Sequence, residues 1–518
     1  MTSGLFNQLS RRVDNAPPWV VIASASVAAS FLMQEAGGVF FAGIVAAVLI
    51  VLLALISSWF GLLALFPMAF AIRPTPPSIG LQEGLFAVLL AVIFVSAVLR
   101  QLKNYGISSF FRTFGWFVLS MCGLLAINLV VAQLNQVSLA DWLRGVVPFL
   151  FVLAFVPVAI LLGHNRERQF WFGCSVAALI ALMVGYVVAF YFANSLWQPY
   201  WKLTVDGEVL RVSEQIAMDY PDSAYGPLLD RITMLVQRST DAILPIGMVA
   251  GFVVAVFARG KLGTLLGMCL SLVSLAAILT TFTRSMLSSA VLVLGIFALF
   301  VLVYRRDRLL KMVWLMCCLA VAGLAFVFGT GMDRVWIGRM GWLIESINTL
   351  FKIELSGVAP ELSGVAPELS GVAPDKVDGN VSTRIEEYRI AWQMFLDHPL
   401  LGNGLGVKHE MRWETSEGKS LYQSVGYVHN WPLYILMVGG ATGLFAYIAT
   451  LLGPVLSGLS YLKTESDART IVRMVLLTMA VYGLFFAVFR LVTFNLILAA
   501  AWGYIYSRRV PKETEGAQ

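Results

Sequence analysis

Apolar residues in this chain fall into long uninterrupted runs, and no other feature narrows its fold so far. They lie near residues 18–35, 38–56, 58–72, 84–100, 113–133, 145–163, 170–193, 241–258, 263–282, 286–304, 312–329, 431–452, 472–489 and 491–507. About 20 apolar residues wound as a helix match the hydrocarbon thickness of a bilayer. In lipid only helices or closed barrels satisfy every backbone group, and these runs are too long for barrel strands. The expectation is an all-α polytopic integral membrane protein with about 12–14 transmembrane helices, the crowded stretch 18–72 setting the range. Composition agrees: 59% of residues are hydrophobic and 13% charged, with mean hydropathy +0.80. A soluble domain has roughly 45–50% and 25%. Secreted, nuclear and cytosolic functions are excluded, as are most cofactor-dependent soluble enzymes.

The formal charge of +6 does not point to nucleic acid, because the basic residues sit mostly between the runs. With the N-terminus in the cytoplasm and the runs alternating, 19 of the 36 Lys and Arg residues fall in inner loops. The short outer loops hold only Arg73, Arg144, Arg284 and Arg490. That is the positive-inside pattern. It puts both termini in the cytoplasm and two long loops outside. The chain then divides into N-terminal helices at 1–193, a first outer loop at 194–240, helices at 241–329, a large outer loop at 330–430, C-terminal helices at 431–507 and a tail at 508–518. Cys122, Cys174, Cys269, Cys317 and Cys318 all lie inside the runs and read as small apolar residues. The N-terminus, with Arg11 and Arg12 ahead of Pro17 and Pro18, lacks the shape of a cleavable signal peptide.

Long loops are where function or disorder concentrates. ELSGVAP occurs three times without a mismatch, at 354–360, 361–367 and 368–374. Gly and Pro in every copy rule out a helix, so the segment reads as a length-tolerant insertion without chemistry. Residues 384–406 then read RIEEYRIAWQMFLDHPLLGNGLG, with Tyr388, Ala391, Trp392 and Phe395 at helical spacing. This predicts an amphipathic helix near the outer face, ending at His398-Pro399 and opening into Gly402, Gly404 and Gly406. A glycine-rich turn can bring backbone N–H groups to a phosphate, or can be a plain loop turn. Val428-His429-Asn430 follows at the head of an apolar run, with Gly440 and Gly443 beyond it.

Together, the His-Pro-Leu-Leu-Gly-x-Gly helix ending and the His-Asn…Gly-x-x-Gly element resemble the O-antigen ligase family and its polymerase relatives. The match is close over about 384–443, and the many-span frame with a large penultimate outer loop is also similar. The ELSGVAP insertion and the extra N-terminal helices depart from the family. The resemblance implies a GT-C-like fold and transfer of a glycan from an undecaprenyl diphosphate carrier to a sugar hydroxyl. The implied acceptor is the lipid A core, at the periplasmic face of a Gram-negative inner membrane. Membrane lipids are the only other partners expected: no nucleic acid, no obligate protein partner, no cofactor and no metal.

Such chemistry needs cations for a diphosphate leaving group and a base for a weakly acidic hydroxyl. Arginine and neutral histidine suit those roles. Between Gly263 and Tyr304 the only charge is Arg284, and two spans fit there only if Arg284 caps their outer turn. Thr283-Arg284-Ser285 is similar to a family element. The resemblance also implies a phosphate-binding arginine at Arg238, with Arg231 competing, and it makes His429 the catalytic base. Catalytic candidates are thus His429, Arg284 and Arg238. Substrate-binding candidates are Asn430, Arg384, Arg389, Arg490, His398, Gly402 and Gly404. Asn430 could equally cap the helix beginning there. Arg384 and Arg389 could equally pair with Glu386 or Glu387. Within the superfamily the acceptor separates ligase from polymerase, and the motif favours the ligase. A lipid-linked glycan transporter is the other class. It would place ionisable groups near the midplane, whereas these gather at outer helix ends.

Overall fold

The structure, a computed structural model, describes residues 17–33, 37–72, 80–192, 203–205, 208–210, 243–281, 283–330, 333, 336, 379–414, 420–456 and 467–510. Arg231, Arg238, the ELSGVAP copies and most of the 194–240 loop lie outside them. The helices are α1 (Pro18–Leu32), α2 (Gly38–Ile56), α3 (Ser58–Met68), α4 (Leu81–Phe110), α5 (Trp116–Leu134), α6 (Leu139–Leu150), α7 (Phe155–Leu162) and α8 (Arg166–Phe192). There follow α9 (Ile243–Phe257), α10 (Lys261–Thr281), α11 (Arg284–Tyr304), α12 (Leu309–Gly329), α13 (Gly379–Asp397), α14 (Trp431–Leu456), α15 (Asp467–Tyr482) and α16 (Val492–Tyr506). Two short antiparallel hairpins, β1 (Leu203–Val205) with β2 (Glu208–Leu210) and β3 (His409–Glu414) with β4 (Ser420–Val425), are the strands among the described residues. The all-α expectation is met.

Within the described residues, each apolar run read from the sequence contains helix, the run at 145–163 being shared between α6 and α7. Among the described residues 8 helices are long and apolar enough to cross a membrane. One of them, Leu81–Leu134, spans 54 residues. It is α4 and α5 joined through a kink at Gly106 and a π turn at Phe111–Gly115. The apolar surface divides as a bilayer requires. Helix α2 exposes Phe41, Leu49 and Leu52, while α9 is buried along nearly all its length and forms part of the interior. Small residues let α9 and α10 approach closely: a Cβ on Gly251 would lie 2.7 Å from the Gly267 carbonyl oxygen. Ser271 Oγ donates across the same seam to the Met248 carbonyl.

Contacts between helix ends join elements that alternate threading puts on one side. Arg305 pairs with Asp467, His164 meets the Val510 carbonyl, and Lys311 donates to the Ala258 carbonyl. At the opposite end, Trp431 N–H donates to the Gly483 carbonyl and Lys408 pairs with Asp141. The Arg305–Asp467 pair joins the C-terminal end of α11 to the N-terminal end of α15. These two helices are therefore antiparallel, and Arg284 lies at the same end of the bundle as Tyr482, Trp431 and His429.

Candidate active site

His429 precedes the first residue of α14, in a loop held from three directions. Asn430 Oδ1 accepts from the Leu433 N–H, capping α14, and its Nδ2 donates to the Leu484 carbonyl. Trp431 Nε1 donates to the Ala480 carbonyl. From α13, Tyr388 Oη donates to the His429 carbonyl at 3.2 Å. The imidazole is framed by the edges of Tyr427 and Phe486, with centroids at 4.9 and 5.5 Å. Its side chain is 16% exposed.

The decisive contact is with Glu387. His429 Nδ1 lies 2.9 Å from one carboxylate oxygen and 3.0 Å from the other. Glu387 is fully buried, on the face of α13 that also buries Ala391. One helical turn earlier, Arg384 Nη1 lies 3.3 Å from Glu387 Oε2. Burial raises the Glu387 carboxyl to about 7, and Arg384 pulls against that rise. Burial likewise lowers the Arg384 guanidinium, with the Glu387 charge opposing it. A second cation comes from the turn between α15 and α16: the Arg490 guanidinium carbon sits 4.5 Å from the Tyr427 ring centroid. His429 is therefore backed by a carboxylate and flanked by two arginines, at the end of the bundle where α11 starts with Arg284.

The glycine-rich turn does something other than open toward a ligand. Helix α14 is broken at Gly440, whose φ is +61°. The break frees the carbonyls of Met437 and Val438 and the N–H groups of Ala441 and Thr442, which membrane surroundings cannot satisfy. The turn after α13 inserts and takes up all four. Asn403 and Gly404 N–H donate to the Met437 and Val438 carbonyls, at 2.9 and 3.0 Å. The carbonyls of Pro399 and Leu400 accept from Ala441 and Thr442, at 2.9 and 3.2 Å. A Cβ on Gly440 would come within 2.4 Å of the Leu400 carbonyl carbon. The two half-motifs thus form one structural joint.

Asn128, on α5, locks that joint. Its Oδ1 accepts from Leu405 N–H at 2.9 Å and Trp142 Nε1 at 3.2 Å, and its Nδ2 donates to the Val438 carbonyl at 2.8 Å. Asn403 Nδ2 adds bonds to the Met394 and Met437 carbonyls.

Of the residues expected from sequence, the structure brings together His429, Asn430, Arg384 and Arg490. Arg284 is the first residue of α11, at the turn where its charge was expected. Gly402 and Gly404 sit in the joint with their N–H groups on the carbonyls of His398 and Val438. Both amide atoms of Asn430 are likewise engaged within the protein. Arg389 faces away from Glu387 and pairs with Glu386 at 2.7 Å. His398 is exposed beyond the end of α13, 11 residues and so about 16 Å along the chain axis from Glu387. Arg238 lies outside the described residues.

Glu387 was weighed from sequence only as a salt-bridge partner. The available signal was its place on the apolar face of α13, between Arg384 and Ala391. His409, without motif support, is buried, its ring nitrogens have no hydrogen-bond partner among the described residues, and burial lowers its pKa. Among the described residues no three His, Cys, Asp or Glu side chains converge.

A family model described as O-antigen ligase matches residues 269–448. The matched segment takes in Arg284, Arg384, Glu387, the glycine joint and His429, and leaves out Arg238 and Arg490. No curated protein matches the chain.

Proposed function

We propose, from the O-antigen ligase domain at residues 269–448, that this membrane protein is a ligase-type glycosyltransferase. It moves polysaccharide from undecaprenyl diphosphate to the lipid A core at the periplasmic face of a Gram-negative inner membrane. The observation that carries the reading is the His429–Glu387 pair, flanked by Arg384 and Arg490 at one end of the helix bundle.

In this reading His429 takes the proton from the acceptor hydroxyl as its oxygen bonds to the anomeric carbon. The bond from that carbon to the phosphate oxygen breaks, and the electron pair leaves with the carrier diphosphate. In-line attack inverts the anomeric configuration. Arginines are the geometric match for the leaving phosphates, and charge held in place lowers the barrier more than charge that must be gathered. Arg284 and Arg238 are the proposed diphosphate ligands, with Arg490 and Arg384 adding positive field. The engaged amides of Gly402, Gly404 and Asn430 favour supporting roles for these three. Arg389 and His398 lie on other surfaces and are better suited to the acceptor glycan.

The test is a lipopolysaccharide gel from a deletion strain complemented with wild type or His429→Ala. Bare core, with polymer accumulating on the carrier in both deletion and mutant, supports the ligase. Core bearing a single repeat unit would instead assign the polymerase reaction. Normal capped core in the mutant would remove His429 from the chemistry.

A further inference from the structure

We propose that Glu387 is a positioning residue that fixes the His429 proton on Nδ1 and leaves Nε2 as the base, with Arg384 keeping Glu387 ionised. The proposal rests on the reading of His429 as base and names what makes that ring competent. An ionised carboxylate only accepts hydrogen bonds, so a ring nitrogen within 3.0 Å of both its oxygens must carry the hydrogen. The neutral ring then has its lone pair on Nε2. A protonated Glu387 would instead offer its O–H to Nδ1. The ring hydrogen would move to Nε2, and the ring could accept no proton from a substrate there.

A purely structural tie is a weaker account of the pair. The His429 backbone is already held by Tyr388, and its neighbours by the Asn430 cap and the Trp431 bonds. A fully buried carboxylate is a costly way to add another tether, because an ion leaves water only at an expense that a neutral amide avoids. The groups arranged around the pair are Arg384 and Tyr388 from α13, Tyr427 from the loop before α14, Tyr482 at the end of α15, and Arg490 beyond Tyr427. Two cations and no further carboxylate stand among these, which favours the ionised form. Burial opposes them and brings the Glu387 titration to about 7. The switch between the two ring tautomers therefore falls within a working pH range.

The test is the pH dependence of glycan transfer by the purified full-length protein in nanodiscs, with carrier-linked polysaccharide and lipid A core as substrates. The variants are E387Q, E387D, R384Q and H429A. E387Q is expected to lose about 10²–10⁴-fold in kcat, as when a triad carboxylate becomes an amide, with donor KM changed by only a few-fold. E387D, which keeps the carboxylate, recovers to within about tenfold of wild type. In R384Q the acid limb of the profile moves to higher pH, because the cation that favours ionised Glu387 is gone. Wild-type kcat and an unmoved acid limb in E387Q, with H429A inactive, overturn the positioning role and leave the base intact. Activity in H429A overturns the functional reading itself. Should E387Q fail to fold, an unmoved limb in both E387D and R384Q overturns the proposal.

Discussion

Replacing Asn128 by alanine removes the lock between α5 and the joint in α14, and the cost can be worked from its bonds. Two buried donors, the Leu405 N–H and the Trp142 indole N–H, lose their common acceptor. The Val438 carbonyl loses one donor but keeps the Gly404 N–H. An orphaned buried donor costs about 1–3 kcal/mol, so the pair costs about 2–6 kcal/mol. At about 2 °C per kcal/mol, the lower sensitivity of larger domains, the thermal midpoint of the detergent-solubilised protein falls by about 4–12 °C. Asn135→Ala is the control. Its amide makes one 3.2 Å bond to the Asn403 carbonyl, and a change of about 2 °C or less is expected. Transfer activity falls with Asn128→Ala because the joint sets the position of the helix that presents His429. A midpoint within about 2 °C of wild type would mean that those donors find other partners and that Asn128 is no lock.

Gly440→Ala places a Cβ against the Leu400 backbone at a positive φ; the expected outcome is loss of monodisperse protein on size exclusion, where the same change at an ordinary helical position would gain about 1 kcal/mol. The buried Glu387 gives a second prediction, in stability against pH. Its folded pKa of about 7 lies above the ordinary 4.5. Stability from the neutral acid is therefore fully present below pH 4.5 and lost as pH rises through 7. Relative to wild type, E387Q should gain up to about 3 kcal/mol between those limits, read as thermal midpoints at pH 5 and 8. Deleting two of the three ELSGVAP copies leaves transfer activity unchanged, and a clear loss would give that segment a role.

The apolar helices were legible because burial in lipid demands long apolar runs, and a run needs no partner to be recognised. Arg284 was placed for the same reason: a charge inside a span is costly, so the turn between α10 and α11 was its only favourable position. The joint was half legible. The glycines and the His-Asn element stand out as motifs, but their physical connection is a set of hydrogen bonds between residues 399–404 and 437–442. Nothing in the local pattern of either segment announces the other. Asn128 is further removed, 277 residues from the Leu405 amide it holds. A lone asparagine within an apolar run carries no periodic signal. Glu387 was hidden by its own helix, since a glutamate beside another glutamate and near two arginines reads as a surface ion-pair network. Only the packing of α13 against the His429 loop turns one of those glutamates inward.

Transfer of glycan from a lipid diphosphate at the His429 site can be followed in proteoliposomes. Purified wild type and His429→Ala, at equal protein and equal monodispersity, would each be given carrier-linked polysaccharide and lipid A core. Formation of polysaccharide-linked core and release of free carrier diphosphate would be followed together. The expected result is both products in equal amounts with wild type and neither with His429→Ala. Wild-type rates in the variant, or movement of intact carrier-linked glycan across the bilayer with no new glycosidic bond, would contradict it.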